Sequence, residues 1–90
     1  MISYSVAGAE FMGDNVRASL KSVGSGVRIM PLAKICVPHM VELGDECRVC
    51  DFVFIWGGTG VKIGKNCDIQ PHVTVWGGGS LEVGDRVSLG

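Results

Sequence analysis

Apolar residues along this chain recur neither every 3.6 positions, as on one face of a helix, nor at every second position over a long run, as in a hairpin strand. Their period is twenty. Val23, Leu43, Ile63 and Val83 each stand directly before a glycine, Gly24, Gly44, Gly64 and Gly84. Six residues beyond each lies a second apolar residue, Ile29, Val49, Ile69 and Leu89, and six beyond that a third, Ile35, Ile55 and Val75, so the spacings run six, six and eight. Four residues after most of these anchors comes a small or β-branched side chain: Val27, Cys47, Cys67 and Val87 after the first, Ala33, Val53 and Val73 after the second.

That spacing predicts short strands joined by corners, each strand turning its anchor inward and each corner tucking a small side chain behind it. Three strands per coil make a triangular prism, and equivalent strands of successive coils pair in parallel about 4.8 Å apart. One coil cannot enclose its own interior. Each is therefore the packing surface for the next, which is why VELGDEC returns as VKIGKNC and LEVGDRV. The expected fold is all-β, a triangular parallel β-helix of about four coils over residues 23–90. The eight-residue step leaves two extra residues per coil at the third corner, within CVPHMVE, WGGTGVK and WGGGSLE, whose glycines suit a bulging turn. Before Val23 the register weakens. MGDNVRA, Met12 to Ala18, resembles a rung, but the step from Ala18 to Val23 is one residue short, so residues 1–22 are expected to form an imperfect first coil or a cap.

Composition narrows the partners more than the fold. Ninety residues at 47% hydrophobic and 19% charged can close one core and bury enough apolar surface to offset ordering entropy. Eight Lys and Arg stand against nine Asp and Glu, without runs, so neither nucleic acid nor an anionic membrane is an expected partner. The opening MISYSVAGAEFMGD lacks the basic and apolar regions of a signal peptide, and no stretch approaches the roughly 18 apolar residues of a membrane span, which points to a cytoplasmic protein.

The motifs LGDECRV, IGKNCDI and VGDRVSL resemble the hexapeptide repeat of left-handed β-helix acyltransferases, the isoleucine-patch superfamily. The likeness covers about residues 23–90, and Cys47 to Gly90 is most similar to sugar O-acetyltransferases of the galactoside and maltose acetyltransferase type. Left-handedness enters only through this likeness, because parallel crossovers are otherwise right-handed. The likeness implies a homotrimer that binds acetyl-CoA or another acyl-CoA as co-substrate in a cleft between neighbours and passes the acyl group to a hydroxyl of a sugar. It also implies a general-base histidine on a loop near the interface, since a neutral imidazole can accept the hydroxyl proton. In such enzymes that loop follows a coil beginning much like VSLG, where this chain reaches Gly90. The resemblance is thus to the N-terminal half of such an enzyme, a truncated or minimal form. The alternative is a non-catalytic β-helix module that oligomerises or binds a partner or small ligand.

Two histidines are candidate catalytic residues. His72 takes the corner position that Leu32 and Phe52 hold in earlier coils, and His39 lies in the wide third corner, so the two sit on different corners. Neither has a visible Asp, Glu or Asn to orient it, as a general base requires. Two unstacked histidines also fall short of a three-histidine zinc site, so no metal is expected. Cys47 and Cys50 form C-x-x-C, but Cys47 occupies the inward slot that Val27 and Val87 fill, which makes it core. Trp56 and Trp76 directly follow Ile55 and Val75, so both should point outward, one above the other, with Cys36 completing the row. Such a row is expected to pack on a neighbouring subunit or stack on a ligand ring. An uncovered last coil, with its open strand edges, gives a second reason to expect self-association.

Overall fold

The computed structural model describes residues 11–90; the first ten positions of the 1–22 segment lie outside the described residues. Among the described residues eleven short strands follow one another. The first coil contains β1 (Ser22–Val23), β2 (Arg28–Ile29) and β3 (Lys34–Cys36), and the second β4 (Val41–Leu43), β5 (Arg48–Val49) and β6 (Phe54–Trp56). The third contains β7 (Val61–Ile63), β8 (Asp68–Ile69) and β9 (Thr74–Trp76), and then come β10 (Leu81–Val83) and β11 (Ser88–Leu89). They form three parallel sheets, β1-β4-β7-β10, β2-β5-β8-β11 and β3-β6-β9, which are the first, second and third faces of a solenoid. The described residues therefore form about three coils rather than about four, since the third face has three strands where the first and second have four.

Register follows the twenty-residue period throughout. Leu43 lies between Val23 and Ile63, Val49 between Ile29 and Ile69, and Ile55 between Ile35 and Val75. Ile35, Val49, Ile55 and Ile69 are wholly inaccessible to solvent. The small corner residues Val27, Ala33, Cys47, Val53 and Cys67 are buried behind them. Two further inward positions escape the six-six-eight count. Val41 and Val61 open strands β4 and β7 with their side chains buried, so the third corner also has its inward residue, two positions before the anchor. The alternation Val41-Glu42-Leu43 and Val61-Lys62-Ile63 is the signal that carries them.

Corner geometry explains the first-corner sequence. The third residue of each first corner is left-handed: Gly26, Glu46, Asn66 and Arg86, at φ 74°, 60°, 56° and 57°. Only the first uses glycine; for the others the strain, on the order of 1–2 kcal/mol per residue, is offset by the stacking that fixes the corner. Gly44 is needed for another reason, since a Cβ there would approach the backbone carbon of Gly64 in the next coil to 2.6 Å. Carboxylates tie the corners together across coils: Asp45 accepts from the Ser25 N–H at 2.9 Å, Asp85 from the Lys65 N–H at 2.8 Å, and Asp51 from the Leu32 N–H at 2.9 Å.

Met12 to Ala18, rung-like in sequence, is largely the 3-10 helix Gly13–Ser19. Val16 and, past the helix end, Leu20 bury their side chains in the main core. Met12 bridges Lys34 antiparallel, and the Ile35 N–H donates to the Phe11 carbonyl at 2.9 Å, so this segment pairs with the outer edge of β3. No helix among the described residues is long and apolar enough to cross a membrane.

Candidate functional site

The third corner separates the two surfaces of the molecule best equipped for binding. On its third-face side, the outward row Cys36, Trp56, Trp76 is in register, as the position after each anchor requires. The indoles of Trp56 and Trp76 stack with centroids 4.1 Å apart and planes 29° from parallel. Trp56 is half-buried, and Trp76 is 58% exposed. The corner beneath them is built from Gly57, Gly58, Gly77 and Gly78; a Cβ on Gly78 would meet the Trp76 Nε1 at 2.9 Å. Glycine there lets the indole lie against the backbone.

On the first-face side, the corner and the outward row Glu42, Lys62, Glu82 enclose an open groove of about 370 Å³. Thr59 and Ser80 bring two hydroxyls to its rim, 3.4 Å apart. Lys21 approaches Glu42 at 3.8 Å. These groove residues were not singled out from the sequence, although the period places Glu42, Lys62 and Glu82 in one column, midway between inward residues.

The histidines are not brought together. His72 is exposed at the second corner in a left-handed conformation, φ 68°, and its ring stacks on Phe52 at 5.1 Å with planes 6° apart. Phe52 itself is left-handed and 56% exposed, and Leu32 precedes it in the same column at 49%. His39 is exposed within the single 3-10 turn Pro38–Met40 of the third corner. Among the described residues neither imidazole has a hydrogen-bonding or ion-pairing partner, and no group of three or more His, Cys, Asp or Glu is placed to hold a metal ion.

All four cysteines are free thiols. Cys47 donates to the Gly64 carbonyl at 2.8 Å and Cys67 to the Gly84 carbonyl at 3.0 Å, so both thiols serve as core and as coil-to-coil ties. Burial pushes the Cys47 thiol up, which keeps it protonated and unreactive. On the second face Arg48 grips Asp68 with two hydrogen bonds of 2.9 and 2.7 Å, and this hydrogen bonding holds the Asp68 carboxyl below its ordinary value. The chain matches no protein-family model, no curated protein and no solved structure.

Proposed function

We propose that this chain is a left-handed hexapeptide-repeat subunit of the CoA-dependent O-acyltransferase type, assembling into a homotrimer and acetylating a sugar or similar hydroxyl. The observation that supports the reading is the coil itself. Three faces, an inward ladder at every twentieth residue, and small side chains tucked at the corners are what the hexapeptide resemblance requires. Stacked, exposed Trp56 and Trp76 suit the subunit contact, since aromatics are enriched at interfaces and a soluble monomer rarely leaves such a pair bare.

In the reaction, the acceptor hydroxyl oxygen bonds to the thioester carbonyl carbon, the C–S bond breaks, and CoA leaves with the proton that a base removed from the hydroxyl. His72 is the better candidate base because its ring is accessible; the carboxylate that would orient it must come from a neighbouring subunit. His39, on the wide corner, is the lesser candidate. The cytoplasm, where acyl-CoA is made and used, is the setting that fits this reading.

Incubating the purified chain with acetyl-CoA and a panel of sugar acceptors tests it. Acceptor-dependent release of CoA thiol, lost in His72→Ala, is the expected result; a chain that neither binds CoA nor turns it over is a non-catalytic module instead. That second reading draws on the Trp pair alone. Sedimentation decides the assembly: Trp76→Ala should dissociate the trimer, and a monodisperse wild-type monomer at micromolar concentration would remove the trimer from the proposal.

A further inference from the structure

We infer that the third corner of the first coil is a strained latch on the segment before Ser22, so that undocking of the helix Gly13–Ser19 and relaxation of Val37 are one event. Val37 is left-handed, at φ 55° and ψ 52°. The other left-handed residues among those described, glycine aside, are Glu46, Phe52, Asn66, His72, Ser80 and Arg86, none of them β-branched and none followed by proline. Val37 is β-branched and precedes Pro38. A branched Cβ makes this backbone region an outlier, and the proline ring favours an extended residue before it.

The third corners of the later coils avoid this strain. Their left-handed residues come further along and mostly at glycine, Gly58 and Gly60 in one, Gly79 and Ser80 in the other. What sets the first of these corners apart is its neighbour. The turn at Val37 carries the chain into the 3-10 helix Pro38–Met40, where Pro38 is buried and its carbonyl accepts the Lys21 N–H at 3.2 Å. The same N–H reaches the Val41 carbonyl at 3.0 Å, so the residue that leads into β1 is held from both ends of the turn. The helices Gly13–Ser19 and Pro38–Met40 also pack against each other. An extended Val37 would swing Pro38 away and break this hold.

Strain and docking therefore oppose each other. The segment is held by the buried side chains of Val16 and Leu20, by the Gly13 N–H on the Ala33 carbonyl at 2.8 Å, and by the Arg17 guanidinium on the Val27 carbonyl at 2.6 Å. A unit with so few buried side chains opens more readily than the whole molecule unfolds, and the strain released at Val37 favours opening further. Lys21 and Met40 line the groove beside the third corner, so its wall is taken apart when the latch opens. This device does not depend on acyl transfer.

Amide hydrogen exchange of the labelled chain tests the coupling, with the Phe54 N–H, bonded to the Val73 carbonyl at 3.0 Å on the third face, as the reference for global unfolding. In the parent, Gly13 and Lys21 should exchange faster than Phe54. Val37→Asn puts a residue that tolerates the left-handed region at the corner, and it should slow Gly13, Lys21 and Phe54 alike, about tenfold, because every opening that relaxes the corner loses the same gain. Val16→Asp, a charge forced into the core, should release the segment and move the Val37 Cα and Cβ chemical shifts to extended values while Phe54 stays protected. Equal exchange of Gly13 and Phe54 in the parent would overturn the latch. So would slowing of Phe54 alone or of no amide in Val37→Asn, or left-handed shifts at Val37 once Gly13 has lost protection in Val16→Asp.

Discussion

The second and third coils and the last strands carry nearly the same residues in different surroundings. Leu43 and Ile63 are 2% exposed and have a coil on either side, whereas Val83, at the same position of the repeat, is only half-buried. The glycines sharpen the contrast. A Cβ on Gly64 would run into the Asp85 carboxylate and the Gly84 backbone, whereas a Cβ on Gly84 would meet nothing within 4 Å. The first-corner glycines Gly24, Gly44 and Gly64 are thus dictated by the coil stacked after them. In a solenoid the energy resides largely in interfaces between neighbours, and a residue has its full value only when both are present.

Core truncation should break this contrast most strongly. Ile55→Ala, at a wholly buried position between Ile35 and Val75, should cost about 2–5 kcal/mol, and Leu89→Ala, half-buried in β11, less than about 2 kcal/mol. Denaturant melts of the two variants measure the gap; equal losses would mean that the coils do not depend on their neighbours as argued. Next in size is the glycine pair. Gly64→Ala should destabilise by about 1–3 kcal/mol through overpacking, while Gly84→Ala should stay within about 0.5 kcal/mol of the parent.

Asp85→Ala sharpens the comparison from the polar side. It removes the acceptor for the Lys65 N–H and should cost about 1 kcal/mol, read from the same melts. The smallest effect is expected at Arg48–Asp68, which lies on the surface of the second face, where water screens the pair. The folded state lowers the Asp68 pKa, so the stabilisation is fully present above the unfolded carboxylate value and is lost as pH falls through the folded one. Asp68→Asn should therefore lower the melting temperature slightly at neutral pH and not at all at strongly acidic pH. A loss that persists in acid would place its origin elsewhere.

The ladders were legible because burial on a repeating scaffold forces apolar residues to a fixed interval, and Val23 through Val83 keep that interval without a gap. The outward direction of Trp56 and Trp76 followed from the same logic, since the residue after an inward anchor must face out. Val41 and Val61 were passed over because the third corner lengthens the step, so their place depends on how the chain turns rather than on how far it runs. The segment before Ser22 misled for a related reason: MGDNVRA carries a rung's spacing, but its local backbone closes into a 3-10 helix against β3.

Sequence by itself determined the coil length, the three inward ladders and the corners that need small or flexible residues, because each is a one-dimensional requirement of packing. Tertiary structure alone decided how closely the outward residues of neighbouring coils and faces approach. The ring contact of His72 with Phe52 and the groove between the third corner and Glu42, Lys62 and Glu82 depend on where side chains from different coils and faces converge. Solvent-facing positions carry no burial constraint, so their spacing in the chain leaves that convergence open.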